Sequence, residues 1–256
     1  MELIKAARRH NLWSDVLYIV LNLGLVVALY WLVRLFDPPY LAVGLLLLSK
    51  WRVFAVRPRY WFVHLQSNLV DIVVGLSFVA LLYLGQGETG LQILLSGLYG
   101  AWLLLLKSRT RRHYVVWQAG VAQFAGLLAV SSFSYLLPSS LFVLAVWLIG
   151  YGAARHVLNA YDEEGATLPA LAWGLVLAEI GWLYYHWMVA YLFVGSLAIS
   201  QLSIVGLLAG FVAQRLYDIF KHRGSVRFKE ARGPILFLVL LLLLIFIRFT
   251  PWNIAL

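Results

Sequence analysis

Long apolar runs, broken by short clusters of basic residues, proline and glycine, repeat along the whole 256-residue chain. A helix needs about 20 mainly apolar residues to cross the hydrocarbon core of a bilayer. The pattern predicts nine such spans, at 16–33, 41–56, 63–84, 91–106, 114–137, 141–154, 168–187, 199–217 and 234–249. The second depends most on its flank, because only 41–49 is free of charge; it reaches spanning length if Lys50 and Arg52 run their heads out to the lipid headgroups. Pro38 and Pro39 stop the first span, and 86–90 and 138–140 are short turns. Residues 188–198 stay apolar without a turn signal and read as an extension of the eighth helix or as a re-entrant or interfacial segment. The predicted fold is all-α: one polytopic transmembrane bundle with no separate soluble domain.

Composition agrees with that class. With 63% hydrophobic residues, 12% charged residues and a mean hydropathy of +0.86, too little polar surface is available to cover a water-soluble globule. The 11 Trp and 14 Tyr suit the two membrane interfaces. The absence of Cys removes disulfides, thiol chemistry and thiolate metal sites. No GxSG, HExxH or phosphate-loop motif is present, nor an Asp-rich pyrophosphate motif, and no Lys lies in a span core where a retinal would need it. The reading therefore assigns no metal and no cofactor.

Charge sets a topology. With the N-terminus in the cytoplasm and the C-terminus outside, 18 of the 20 Lys and Arg fall on the cytoplasmic side, all except Arg34 and Arg248. Such one-sidedness is what the positive-inside rule demands, and dropping the second span would destroy it. Residues 1–15, with Lys5, Arg8 and Arg9 at helical spacing, form a basic interfacial segment. The turns carrying Lys50, Arg52, Arg57 and Arg59, and Lys107, Arg109, Arg111 and Arg112, are placed against anionic lipid; they are too short and dispersed for nucleic acid. The setting is an integral protein of the cell membrane. A shift of 52 residues lays Arg57, Arg59, Gln66, Leu76 and Tyr83 over Arg109, Arg111, Gln118, Leu128 and Tyr135, and Asp71 over Gln123, as a parallel repeat or a chance match in an apolar alphabet.

Two carboxylates stand inside spans. Glu179 lies mid-way along 168–187, with His186 seven residues on and on the same face. Asp71 lies in 63–84, where His64, Asn68, Asp71 and Gly75 align along one face of a continuous helix. An acid within a membrane marks a functional path by default. Against that, Asp71 is a structural ion-pair partner for a basic residue such as Lys107 or Arg155, and Glu179 a neutral hydrogen-bonding group between helices. Gly206 and Gly210 form a GxxxG packing site within the chain or between copies, and Gln118, Gln123, Gln201 and Gln214 read as interhelical hydrogen bonds. The acidic cluster 162–164 reads as a solvated turn followed by Thr167 as a helix cap.

Three functions fit. The first is transport of a small solute, ion or proton past Glu179 and Asp71, with His186, His64 and Asn68 beside them. The second is a non-enzymatic component that binds lipid or another membrane protein, or a second copy of itself. An intramembrane lipid-modifying enzyme using Asp71 and His64 is third, and a non-enzyme is preferred because no diagnostic catalytic motif is present.

Overall fold

A computed structural model describes residues 12–53, 55–187, 189–194, 197–225 and 228–249. The basic segment 1–15 falls outside the described residues up to residue 11, as do Arg227 and residues 250–256. Ten helices and one short hairpin make up the described residues: α1 (Leu12–Leu35), α2 (Tyr40–Ser49), α3 (Trp61–Ser67), α4 (Leu69–Leu84), α5 (Thr89–Ala101), α6 (Arg112–Ser132), α7 (Ser139–Asn159), α8 (Thr167–His186), β1 (Ala190–Val194), β2 (Leu197–Ser200), α9 (Gln201–Arg223) and α10 (Phe228–Phe249). Among the described residues six helices are long and apolar enough to cross a membrane, namely α1, α5 with the π turn that continues it through Trp102–Leu106, α6, α7, α8 and α9; the number is seven if the bent pair α3 and α4 is one span.

Two predicted spans are built differently from a single helix. Helix α2 has 10 residues, about 15 Å at the usual rise, and the chain then turns through 3-10 segments at Trp51–Val53 and Pro58–Tyr60. The stretch 63–84 is broken at Asn68, which takes φ −103° and ψ 6° between α3 and α4, and the two helices meet at 68°. In place of a helical extension, the described residues of 188–198 belong to a hairpin: β1 and β2 pair antiparallel, with Ala190 opposite Ser200 and an irregularity between Leu192 and Val194. Ser200 then caps α9 by accepting the Ser203 amide at 3.1 Å, and Gly224 closes that helix with φ +72°, a conformation glycine adopts without steric cost.

Of four apolar clusters among the described residues, the two largest hold the bundle together. The first gathers Leu29, Leu46, Phe78, Leu82 and Leu103 from α1, α2, α4 and the α5 region. The second gathers Leu127, Phe142, Val146, Leu177 and Leu202 from α6 to α9. They meet where Val73 of α4 lies against Gly126 of α6, where a Cβ would stand 2.8 Å from the valine methyl. The basic turns gather at one end: Arg112 lies over the Tyr161 ring at 4.4 Å, Tyr161 donates to Asp218 at 2.9 Å, and Lys221 reaches Glu163. At the opposite end Tyr83 donates to Asp37, Gln86 to the Val33 carbonyl and Tyr185 to the Leu137 carbonyl.

Candidate functional site

The most enclosed charged groups in the first half of the chain form an ion cluster centred on Asp71. Because α2 is short, its end delivers Lys50 to the depth of the first turn of α4, and the π turn after α5 delivers Lys107 there as well. Asp71 Oδ2 accepts from Lys50 Nζ and, at 3.0 Å, from Lys107 Nζ. The Lys50 and Asp71 side chains are only 6% and 15% exposed, so the charges sit where water screens them weakly. Two ammonium groups on one carboxylate leave a single positive charge over. Arg155, the other partner the sequence suggested, is engaged elsewhere, donating to the Tyr151 hydroxyl and to Thr167 Oγ1, each at 2.8 Å. Thr167 is the first residue of α8 rather than its cap, and its hydroxyl serves Arg155 instead.

The bend at Asn68 breaks the expected polar stripe. His64 sits on α3, exposed, and Asn68 Nδ2 donates to the His64 carbonyl at 2.8 Å instead of turning toward Asp71. A stripe at i, i+4, i+7 and i+11 needs an unbroken helix, and α3 and α4 are two.

Glu179 occupies quite different surroundings from Asp71. Ala170, Gly174, Leu177, Ala178, Gly181 and Tyr184 are buried in α8, the small ones allowing α7 to approach closely. A Cβ on Gly174 would lie 3.0 Å from the Trp147 carbonyl, and one on Gly181 3.0 Å from Val146. Glu179 projects from the other side of the helix and is exposed with Leu175, Val176, Trp182, Leu183 and His186. Among the described residues it has no hydrogen-bond or ion-pair partner. His186 rests on its own helix, its Nδ1 at 2.8 Å from the Trp182 carbonyl and its ring against Trp182. Glu179 and Asp71 therefore do not face each other. The burial signal was present in the sequence as the small residues at 170, 174, 178 and 181, a pattern as regular as the acid is conspicuous.

Two glutamines on α6 organise the bundle. Gln123 Nε2 donates to the Gly206 carbonyl at 2.6 Å while its Oε1 accepts from Trp173 Nε1 at 3.1 Å, so one side chain ties α6, α8 and α9. Gly206 and Gly210 admit this contact within the chain, since a Cβ on Gly210 would meet Gln123 Nε2 at 2.8 Å. Gln118 is buried and donates to the carbonyls of Leu106 and Arg109 at 2.6 and 2.9 Å, and its Oε1 lies 2.8 Å from His156 Nε2. The loop it grips borders a half-open surface pocket of about 280 Å³ lined by Ser108, Arg109, Thr110, Arg111 and Tyr114, of which only Tyr114 is partly buried.

Compared with protein-family models, curated proteins and solved structures, the chain matches none of them. Of the sequence-selected lipid-contact residues, Arg57, Arg59, Arg109, Arg111 and Arg112 stand at chain turns, Lys50 is buried and Lys107 half-buried in the ion cluster, and the Arg52 side chain lies outside the described residues. The described residues bring together no group of three potential metal ligands.

The acidic turn between α7 and α8 is more than solvated. Lys221 Nζ donates to Glu163 Oε2 at 2.5 Å and the Tyr217 hydroxyl donates to the same oxygen, which holds the Glu163 carboxyl below the usual value. A lowered folded pKa means this contact contributes stability above the ordinary value of 4.5 and loses it as pH falls through the folded one. Hydrogen-exchange protection across 160–166, taken relative to the intrinsic rate at each pH, is expected to fall in acid in the parent, and to be low already at neutral pH in Lys221→Met. Identical exchange profiles for the two would show that the pair does not hold the turn.

Proposed function

We propose that the chain is a non-enzymatic, multi-pass component of the cell membrane that binds a second membrane-embedded protein along the outward face of α8. The single observation that carries this reading is Glu179, exposed and unpartnered among the described residues, mid-helix beside Leu175, Val176, Trp182 and Leu183. Thirteenth in a 20-residue helix, it sits about 18 Å from the start, a depth where water is scarce. A carboxyl group facing hydrocarbon costs on the order of 2.5–3.5 kcal/mol, whereas a donor on a neighbouring helix removes most of that cost. Its position supports a partner helix that brings a Lys, Arg, His or amide side chain to the same depth.

A second copy fits this face less well. Two copies inserted in the same direction place equal depths side by side, so Glu179 meets Glu179, while the one basic candidate on that face, His186, is about 10 Å away along the helix. Conduction is less favoured as well, because Asp71 is held between two lysines whereas Glu179 looks away from it. The basic end of the bundle is placed toward the cytoplasm in this reading, on the strength of where Lys and Arg collect.

A photo-crosslinking residue at Val176 in native membranes is expected to yield one discrete protein adduct, absent from the same probe at Leu94 and lost with Glu179→Leu. The adduct's membrane segment must carry a basic or amide residue. Adducts to lipid only, or to a second copy, would overturn the partner assignment. Proton flux in proteoliposomes that Glu179→Gln abolishes would replace it with transport.

A further inference from the structure

The loop between α5 and α6 has the make-up of a binding site, and nothing in the α8 reading uses it. Its pocket, half open to solvent and about 280 Å³ in volume, is small beside the roughly 300–1,000 Å³ of sites for drug-sized molecules, so it suits a single compact group reached from the surface. The lining is basic and hydroxylic: Arg109 and Arg111 with Ser108, Thr110 and Tyr114. Among the described residues no carboxylate forms an ion pair with either arginine. Asp71, the acid that the neighbouring Lys107 reaches, is already shared by Lys50 and Lys107, and the surplus positive charge of that cluster lies next to the loop.

The loop is also held in shape before any ligand arrives. The π turn ends with the Lys107 amide on the Trp102 carbonyl at 2.9 Å, and π turns of this sort recur at functional sites. Gln118, only 6% exposed, fixes the carbonyls of Leu106 and Arg109 from below, and His156 fixes Gln118 in turn. The Arg109 guanidinium lies over the Tyr114 ring at 5.7 Å, which limits its rotation. Arg112, by contrast, is drawn away to the Tyr161 ring. A preformed loop spends less of its binding energy on ordering itself.

From these observations we infer that the cavity lined by Ser108, Arg109, Thr110, Arg111 and Tyr114, braced by Gln118, binds a phosphate monoester. Guanidinium groups pair with phosphate oxygens through two parallel hydrogen bonds, and hydroxyls complete the shell. Two arginines balance the nearly double negative charge of a monoester and overbalance the single charge of a diester. The ester's source is either a lipid headgroup, since the loop follows a membrane-length helix, or a soluble phosphorylated metabolite.

The test uses the full chain in phosphatidylcholine nanodiscs, titrated in one arm with phosphatidic acid in the disc and in the other with soluble glycerol phosphate. Saturable binding in at least one arm is expected, at least about tenfold weaker in Arg109→Gln/Arg111→Gln. Arg57→Gln/Arg59→Gln removes the same charge outside the cavity and is expected to weaken binding less than about threefold. Gln118→Leu keeps every lining residue and is expected to weaken binding as well. Binding in the disc arm alone identifies a lipid ligand, and binding in both arms identifies the headgroup as sufficient. Equal losses in the two arginine pairs would overturn the site in favour of diffuse charge, and so would the absence of saturation in both arms. Neither outcome bears on Glu179, so this inference and the partner reading fail separately.

Discussion

Asp71→Asn is expected to lower the stability of the chain by about 3–5 kcal/mol, the range found when one member of a buried ion pair is removed. The substitution hardly alters shape, so the loss isolates charge. Lys50, 7% exposed at the end of α2, then has no counter-charge, while Lys107 is about a third exposed and turns to solvent more readily. The cost should therefore fall mainly on Lys50. Lys50→Met leaves Asp71 paired with Lys107 and is expected to cost distinctly less. Lys50→Met combined with Asp71→Asn should recover much of the loss, because no buried charge remains unpaired. Unfolding in mixed micelles, followed by the fluorescence of the 11 Trp, measures all three. An Asp71→Asn protein as stable as its parent would show that the cluster is solvated and contributes little.

The second large effect is expected at Gly174. There α8 passes so close to α7 that a Cβ would stand 3.0 Å from both the Trp147 ring and the Trp147 carbonyl. A ring can turn, but a backbone carbonyl inside a helix yields only if the two helices separate. Overpacking of this sort costs roughly 1–3 kcal/mol, and more where backbone blocks the way. Gly174→Leu should reach the top of that range or exceed it, loosening the Trp147–Tyr151 stack and the adjacent cluster around Phe142, Val146 and Leu177. Gly174→Ala should cost less, because alanine gains about 1 kcal/mol over glycine within a helix. Gly97 on α5 provides the contrast, since a Cβ added there would meet nothing within 4 Å and Gly97→Ala should stabilise. A Gly174→Leu protein that melts with its parent would mean that α7 and α8 do not depend on this approach.

Both predictions concern contacts that pattern reading treats unevenly. Asp71 was legible as a buried acid, and Lys107 as a candidate partner, from their positions near the basic end. Lys50 was not, because the second apolar run needed it as a headgroup anchor to reach spanning length. The chain instead ends α2 after 10 residues and turns inward, so that a lysine reserved for lipid becomes the buried partner of a carboxylate. The His64, Asn68 and Asp71 stripe failed for a related reason. Hydropathy runs straight through residues 63–84, but Asn68 interrupts the helix and directs α3 away at 68°. Gln118 and Gln123 were legible as interhelical donors, though not their partners, which lie on backbone carbonyls whose availability depends on the π turn and on the absence of a Cβ at Gly210.

By itself the sequence determined the class of molecule, the existence of its long helices, the turns between most of them and the collection of basic residues in alternate turns. These follow from local quantities: the length of apolar runs, the sites of proline and glycine, and the spacing of charge. Only the tertiary structure decided which face of each helix is covered. Helical periodicity puts Glu179 with Leu175, Val176 and Trp182, and puts Gly174 with Ala178 and Gly181, but does not say which set meets protein. Close packing of α7 takes the small-residue face, since backbones approach only where side chains are missing. Glu179 is consequently turned outward, and the acid that the sequence placed on an interior path marks an exposed surface instead.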